Sequence, residues 1–280
     1  MCIRDRDTKV YNKEYEVPIR LYFPSEEMME EGISGQQSLP VLLFFHGGGW
    51  VTEGVETYDR VCARMAQSTG QIVASVEYRL APEHRFPIPL EDCYAAARAL
   101  YTNHSILHTE PERITVMGDS AGGNLAAAVV LKARDTGEFK IERQILIYPA
   151  LNNCYTEESP YPSVKENGKD YLLTAVKMQD YLELYKSSPE DLENPYFAPL
   201  KEKDLRGMPR TLILTAEFDP LRDEGEDYGR RLLEAGNQVE MHRIPDALHG
   251  YFALGIRFLH VRESFGYING FLENSADNKS

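Results

Sequence analysis

A short run, GDSAGG at residues 118–123, constrains the fold of this chain strongly because it stands between a strand-like and a helix-like stretch. The preceding residues, Ile114 to Met117, are typical of a strand, and an alanine-rich helical pattern follows. Gly118 and Gly122 carry no side chain that would collide across the turn, so the backbone can hold Ser120 in a strained conformation with its Oγ exposed. The helix N-terminus also directs N–H groups and positive dipole toward the serine. The run predicts an activated hydroxyl rather than a simple helix cap.

Strand-like and helix-like runs alternate along most of the chain, which predicts an α/β fold: a mostly parallel eight-stranded sheet with helices on both faces. Several later strands are nearly continuous in Val, Ile, Leu and Phe, as expected for strands buried on both faces. The first strands are expected to form an antiparallel edge. The predicted strands are Lys9–Tyr11, Val17–Phe23, Val41–Phe45, Ile72–Tyr78, Ile114–Met117, Gln144–Tyr148, Thr211–Thr215 and Val239–Ile244.

Helices are predicted from apolar residues at helical spacing. Thr57 is expected to cap a helix that Gly70 ends. Another helix carries the apolar stripe from Leu90 to Tyr101, a third follows Ser120, and a fourth runs from Arg222 to Ala235 and closes with Gly236.

About sixty residues separate the strand ending near Tyr148 from the one beginning at Thr211, too many for a simple connection. They include a helical segment with Met178 and Tyr181 on one face. Residues 151–209 are therefore interpreted as an inserted cap or lid within a single domain spanning residues 1–280.

A serine hydroxyl is a weak nucleophile near neutral pH, so a base and an acid that orients it are required. His249, in PDALHGYF, follows the last predicted strand in a loop, from which an imidazole can reach over the sheet edge. Asp219 follows the strand Thr211–Thr215, and Pro220 stops that strand from continuing. The sequence therefore predicts a triad of Ser120, Asp219 and His249.

Other acids and histidines compete for these roles. Asp223 and Glu224 are better placed to begin the next helix, where carboxylates complement the helix dipole. The remaining acids are Glu217 and Asp246. The predicted helices contain or adjoin His84, His104, His108 and His260. His242 lies in the last predicted strand, and His46 precedes the glycine run.

Three consecutive glycines follow the buried strand in LLFFHGGGW. No Gly-Lys-Ser/Thr sequence and no GxGxxG spacing accompany them, so nucleotide binding has little support. Glycines in such a place let backbone N–H groups approach a ligand closely. Gly48, Gly49 and Ala121 are therefore predicted to form an oxyanion hole, with Gly47 as a further candidate donor.

Five segments in order resemble the hormone-sensitive-lipase-like family of bacterial esterases, which are α/β-hydrolases. The similarity runs from about Val17 to Phe271, nearly the whole chain. The segments are HGGGW at 46–50, YRLAPEHRFP at 78–87, GDSAGGN at 118–124, DPLRDEG at 219–225 and HGYF at 249–252.

The resemblance implies hydrolysis of small-molecule carboxylic esters with short to medium acyl chains, without cofactor or metal. It implies that Ser120, Asp219 and His249 are catalytic and that His46 ties down the glycine loop. The family carries cap helices before its first strand, whereas here a strand is predicted within about ten residues of Met1. Those N-terminal cap helices are expected to be short or missing, either because the cap is built only from the central insertion or because the chain is truncated. A reduced cap would expose apolar surface, which predicts poor solubility or a homodimer.

Residues beside the predicted triad and oxyanion hole are candidates for substrate contact, namely Trp50, Leu221, Tyr251 and Phe252, although aromatic residues at a sheet edge more often serve ordinary packing. Tyr155, Tyr161 and Tyr171 are candidates either for substrate contact or for sealing the cap. An amide or carbamate hydrolase would use the same triad. A non-catalytic ligand-binding protein of this fold would be expected to carry a damaged triad, and this chain keeps all three members.

Charge and cysteine content exclude several classes of partner. The net charge is −14 and no Lys/Arg cluster stands out, which argues against binding nucleic acid or an anionic membrane. The four cysteines lack CxxC spacing, and two lie on apolar stripes of predicted helices, so buried thiols in a reducing compartment are expected: Cys2, Cys62, Cys93 and Cys154. With no long apolar run and no secretion signal, the protein is predicted to be cytoplasmic.

Overall fold

Eight strands form one sheet in the computed structural model, which describes residues 5–34, 38–103 and 107–273. The side chains of 32–34 are not described. The strands are β1 (Asp5–Asn12), β2 (Tyr15–Tyr22), β3 (Val41–Phe45), β4 (Ile72–Val76), β5 (Ile114–Asp119), β6 (Arg143–Ile147), β7 (Arg210–Phe218) and β8 (Val239–Leu248). Their order is β1-β2-β4-β3-β5-β6-β7-β8, with β1 and β2 antiparallel and β3 to β8 parallel. The predicted α/β sheet with an antiparallel edge is confirmed.

Strand ends differ most from the prediction at the edges of the sheet. β1 begins at Asp5 because Asp5 to Asn12 pair with Tyr22 to Tyr15, a hairpin that its polar, exposed residues did not reveal. β8 continues to Leu248 because two additional residues bulge out of its pairing with β7, where Asp246 adopts a φ of 56°. The bulge carries the last strand to the residue before His249.

The helices cover both faces of the sheet. They are α1 (Glu26–Ser34), α2 (Val55–Thr69), α3 (Ile88–Thr102), α4 (Ala121–Thr136), α5 (Pro162–Asn167), α6 (Ala175–Tyr185), α7 (Arg222–Glu234) and α8 (Leu259–Glu273). Buried side chains of α2 and α8 join one core layer, and those of α3, α4 and α7 join the other. No helix in the described ranges is long and apolar enough to cross a membrane.

The prediction that Thr57 caps α2 was wrong. The cap is Gly54, and Thr57 is the third helical residue, whose Oγ1 accepts the Gly54 N–H at 2.9 Å. A Cβ on residue 54 would lie 2.9 Å from the Glu77 carboxylate, which accepts the Val55 N–H at 2.6 Å. Glu77, directly after β4, thus supplies the hydrogen-bond acceptor that the side chain of the cap residue usually supplies. Gly70 ends the helix at φ 66°, as predicted.

The order of the sheet fixes where a site can form. After β3 the chain adds β4 on one side and then β5 on the other, so β3 and β5 are neighbours whose following loops diverge. In open α/β sheets ligands bind at such a crevice, beyond the carboxyl ends of the strands. The glycine run follows β3 and Ser120 follows β5, so both lie at this crevice.

Candidate active site

Ser120 occupies a strained turn between β5 and α4. Its φ of 54° and ψ of −118° are unusual for a residue with a side chain. A Cβ on Gly118 would lie 2.1 Å from the Gly122 carbonyl oxygen, and a Cβ on Gly122 would lie 2.0 Å from that of Phe45. The Ser120 N–H donates to the Ile147 carbonyl at 2.9 Å, which ties the turn to β6. The two glycines are therefore required by close backbone approach, as their positions predicted.

His249 and Asp219 reach Ser120 from the ends of the last two strands. His249 Nε2 lies 2.9 Å from Ser120 Oγ, and His249 Nδ1 lies 2.7 Å from Asp219 Oδ2. Asp219 is completely buried, and its Oδ1 accepts the Leu221 N–H at 2.9 Å. A buried carboxylate on Nδ1 favours the tautomer that leaves Nε2 free to accept the serine proton. The structure thus joins these three side chains in one continuous hydrogen-bonded series.

The competing acids lie elsewhere. Glu217 accepts the Asp246 N–H at 2.8 Å, and Asp246 itself is exposed. Asp223 accepts the Ser163 N–H at 2.7 Å and pairs with Arg222.

Glu224 is buried at the start of α7 and binds the first residues of the insertion, the name used here for residues 151–209. Its Oε1 accepts the N–H groups of Leu151 and Asn152 and the Tyr155 hydroxyl, at 2.7, 3.2 and 2.8 Å. Burial raises the pKa of Glu224 to about 8.

The other histidines are also set apart from Ser120. His46 is buried, His108 is exposed, and His242 stacks on Tyr267 with ring centroids 3.7 Å apart. His84 lies in a turn and His260 in α8, whereas His104 lies outside the described residues.

The glycine loop after β3 lies against the same cavity. Gly48 has a φ of 112°, and a Cβ there would lie 2.2 Å from the Thr52 carbonyl oxygen. Gly49 has a φ of 62°, and a Cβ there would lie 2.6 Å from the ring of Tyr181. Within the described ranges, no hydrogen-bond acceptor takes the N–H of Gly48 or Gly49. These two groups and the N–H of Ala121, the first residue of α4, line the cavity with Ser120.

The N–H of Gly47 is already hydrogen-bonded, so the prediction of Gly47 as a further oxyanion donor is corrected. Its N–H donates to Asp119 Oδ1 at 2.9 Å, and its carbonyl accepts from His46 Nδ1 at 2.7 Å. His46 is buried and stacked on Tyr78 with ring centroids 4.3 Å apart, and burial lowers its pKa to about 4. A neutral imidazole therefore holds the base of the glycine loop.

Asp119 is a site residue that the sequence analysis did not single out. Its Oδ2 accepts the Tyr58 hydroxyl at 2.9 Å and the Tyr148 hydroxyl at 3.3 Å, while Oδ1 holds Gly47. Burial raises the pKa of Asp119 to about 6. Because Asp119 directly precedes Ser120, this carboxyl links the glycine loop to the turn at Ser120. Its place inside the GDSAG run was the one available signal.

A cavity of about 400 Å³ opens over Ser120 and His249. One wall is the glycine loop, and the other is formed by side chains of the insertion that the sequence analysis did not assign to substrate contact: Leu172, Leu173, Lys177, Met178 and Tyr181. The sequence correctly predicts that Met178 and Tyr181 share one face of a helix, but a helical stripe alone does not show which part of the molecule that face contacts. This wall was missed for that reason.

Most of the residues suggested for substrate contact lie outside this cavity. Trp50 lines it and stacks on Tyr185 with centroids 4.6 Å apart. Leu221 is buried in the core beside Asp219, Tyr251 donates or accepts a hydrogen bond with Ser264, and Phe252 packs on Phe265. Adjacency in sequence misled here because the chain turns away after His249 in a short 3₁₀ helix.

The tyrosines suggested from the insertion likewise serve packing. Tyr155 binds Glu224, Tyr161 donates to Asp227 at 2.9 Å, and Tyr171 stacks on Phe218. None of the three lines the cavity over Ser120.

The insertion is attached to the loop that carries Asp219. Ser163 Oγ donates to the Pro220 carbonyl at 2.9 Å, and Asn167 Nδ2 donates to the Asp219 carbonyl at 3.3 Å. Both residues belong to α5 and are buried. The segment that shapes the cavity therefore also supports the acid.

Comparison with known sequences agrees with this geometry. A family described as having the α/β hydrolase fold matches residues 42–253. An arylesterase of Saccharolobus solfataricus is 35% identical over 247 residues, covering 88% of this chain and 76% of the relative. The carboxylesterase NlhH of Mycobacterium tuberculosis is 37% identical over 245 residues, covering 85% and 73%.

A solved structure extends the likeness to three dimensions. The hyperthermophilic esterase from the archaeon Pyrobaculum calidifontis superposes with a TM-score of 0.88 at 38% identity, covering 98% of this chain and 84% of that one.

Proposed function

The chain belongs to the α/β-hydrolase-fold family, within it to the hormone-sensitive-lipase-like esterases, and it hydrolyses carboxylic esters. From this premise we propose that Ser120, His249 and Asp219 perform the reaction. The observation that carries the proposal is the unbroken series Ser120 Oγ, His249 Nε2, His249 Nδ1 and Asp219 Oδ2, with separations of 2.9 and 2.7 Å. Both are hydrogen-bond distances suited to proton transfer.

Acylation is the first half of the reaction. His249 Nε2 takes the hydroxyl proton while Ser120 Oγ forms a bond to the ester carbonyl carbon, and the carbonyl oxygen becomes an oxyanion. Asp219 stabilises the imidazolium that results. The oxyanion accepts hydrogen bonds from the N–H groups of Gly48, Gly49 and Ala121. When the bond to the alcohol oxygen breaks, His249 returns the proton to that oxygen and the alcohol leaves.

Deacylation repeats these steps with water. His249 removes a proton from water as the water oxygen attacks the acyl carbon, and the proton then passes to Ser120 Oγ as the acid is released. No redox change occurs, and His249 carries each proton between Ser120, the leaving alcohol and water.

Short to medium acyl chains are the proposed substrates. The cavity over Ser120 is about 400 Å³, near the lower end for small-ligand pockets, and it is walled by Leu173, Met178 and Tyr181. One of the relatives is an arylesterase, which supports aryl esters as accessible substrates.

A reducing, cytoplasmic location is also proposed. Cys62, Cys93 and Cys154 are free thiols, and the first two are completely buried. Cys2 lies outside the described residues.

The test is a panel of p-nitrophenyl esters from acetate to decanoate, with p-nitroacetanilide as the amide counterpart of the acetate. We expect kcat/KM to be largest for short and medium esters and far smaller for the anilide. Faster hydrolysis of the anilide than of p-nitrophenyl acetate would replace the proposal with an amidase on the same triad. A monotonic rise through decanoate would contradict the chain-length proposal alone.

A further inference from the structure

A second cavity, called here the arginine cavity, adjoins the one over Ser120. Its volume is about 670 Å³, and it lies between α2 and the segment from Phe252 to Phe265. Three residues line both cavities: Arg60, Val61 and Ala253. The two cavities are therefore adjacent and share one wall.

The lining of this second cavity combines cations with apolar surface. Arg60 and Arg64 come from α2, and Arg257 comes from the loop before α8. The other lining residues are apolar or glycine, and no carboxylate stands among the described residues that line it. An apolar wall with cationic groups suits a ligand that carries both a hydrocarbon part and an anionic group.

Among the described residues, no anionic partner meets these guanidinium groups, although the chain has a net charge of −14. Arg20, Arg79 and Arg243, by contrast, pair with Asp7, Asp92 and Glu226. Within the described part of the chain, neither a hydrogen bond nor an ion pair reaches the guanidinium of Arg60, Arg64 or Arg257.

Arg60 and Arg64 are also one helical turn apart on α2, a spacing at which like charges destabilise a helix. Helix stability therefore does not explain why two cations face this cavity, of which Arg60 also lines the cavity over Ser120.

We propose that the arginine cavity binds an anionic carboxylate group carried by the ester substrate, so that the enzyme prefers esters bearing a carboxylate at a distance from the scissile bond. This inference deepens the proposed reaction at Ser120 and rests on it. A planar guanidinium binds a carboxylate through two parallel hydrogen bonds, which gives direction as well as attraction. Glu53 lines the catalytic cavity but not the arginine cavity. Because its carboxylate repels an anion, the substrate carboxylate is expected to bind near Arg64 and Arg257.

A membrane surface is the other partner that such a patch could attract, because Leu254, Phe258 and Leu259 are exposed nearby. The structure favours a small substrate group because the arginines line a concavity that shares three residues with the catalytic one. Membrane-surface helices instead lie flat in the interface, with one broad apolar face and Lys or Arg along the polar face.

The test compares charged and neutral esters of equal length. Mono-4-nitrophenyl adipate and suberate are measured against 4-nitrophenyl hexanoate and octanoate, which places the carboxylate on the acyl side. Acetylated 3-(4-hydroxyphenyl)propanoate is measured against its methyl ester, which places it on the alcohol side. Hydrolysis of the neutral esters alone tests the proposed function, and the ratio of kcat/KM for charged over neutral ester tests this inference.

The wild-type ratio is expected to exceed one in at least one series and to fall as ionic strength rises. Arg64→Ala and Arg257→Ala should each lower the ratio about tenfold, as expected for losing a charge-assisted hydrogen bond. The matched control is Arg262→Ala, an exposed arginine of α8 that removes the same charge outside the cavity. It should leave the ratio unchanged.

Three results would overturn the inference. The first is a ratio at or below one in both series, and the second is a ratio that Arg262→Ala lowers as much as Arg64→Ala does. The third is stimulation of hydrolysis by anionic phosphatidylglycerol vesicles without any preference for charged esters. Thermal unfolding of each variant identifies any that misfolds, in which case Arg64→Lys and Arg257→Lys are measured in its place. These should retain part of the preference because they retain the charge.

Discussion

The turn at Ser120 and the insertion differ in what holds them in place. Around Ser120 the constraints are backbone contacts: the Gly122 position faces the Phe45 carbonyl, and the Ser120 N–H binds the Ile147 carbonyl. The insertion is attached mainly through side chains. Asn124 Nδ2 donates to the Phe197 carbonyl at 2.8 Å, and Arg85 Nη1 donates to the Lys186 carbonyl at 2.7 Å.

We therefore expect the turn at Ser120 to determine the rate of the chemical step and the insertion to determine substrate selectivity. Backbone contacts at strand ends leave little freedom, so the turn tolerates few residue types and its sequence is diagnostic. Side-chain attachment lets the wall of the cavity change without moving Ser120, because Met178 and Tyr181 contact the cavity from a separate helix. Substitutions in the first region should therefore change kcat, and those in the second should change which acyl chain is preferred.

The largest effect that sharpens this contrast is expected from Gly48→Ala. At φ 112° with a Cβ only 2.2 Å from the Thr52 carbonyl oxygen, the loop must shift and an oxyanion donor is displaced. We expect kcat on p-nitrophenyl acetate to fall about 10²- to 10³-fold, the usual cost of losing one such donor. Gly70→Ala is the control, since Gly70 also has a positive φ but an open environment. Equal losses in both variants would mean that strain, not a lost donor, lowers the rate.

A smaller effect is expected in the insertion. Met178→Ala removes a buried side chain from the cavity wall and should shift preference toward longer acyl chains by about tenfold in relative kcat/KM. Leu182→Ala is the control because Leu182 is buried in the same helix but does not line the cavity. If both variants shift the profile alike, general loosening of α6 rather than the shape of the wall sets chain length.

The smallest effect on catalysis is expected at the junction of the two regions, where the predicted change is in stability. The folded-state pKa of Glu224, raised by burial to about 8, lies above its usual 4.5, so between these pH values the folded protein keeps a proton that the unfolded chain releases. The contribution of this group to stability therefore falls as pH rises from about 4.5 to about 8.

Glu224→Gln resembles the protonated acid and can keep the Oε1 contacts, so it should remove that pH dependence. Urea unfolding at pH 5 and pH 8.5 should show wild type losing on the order of 4 kcal/mol relative to the variant. Exposed Glu234 in the same helix supplies Glu234→Gln as control. A constant difference between wild type and Glu224→Gln across this range would contradict the assignment.

The sequence predicted most of what the backbone determines. All eight strands were identified, and Gly118 and Gly122 pointed to the turn because only close backbone approach requires glycine there. The candidate residues His249 and Asp219 followed from their places after β8 and β7. What remained hidden depends on contacts between distant segments, which local patterns do not encode. The capping of α2 by Glu77, the role of Asp119 and the contribution of Met178 to the cavity are of this kind.

The central claim is that Ser120 is activated by His249, and covalent labelling tests it directly. Wild-type protein treated with a fluorophosphonate and digested should carry one phosphonyl adduct, on the peptide containing Ser120, and should lose p-nitrophenyl acetate hydrolysis in proportion. Ser120→Ala should take no label and lose at least about 10⁴-fold in kcat while its unfolding transition stays close to wild type. Labelling at another residue, or undiminished turnover in Ser120→Ala, would contradict the account.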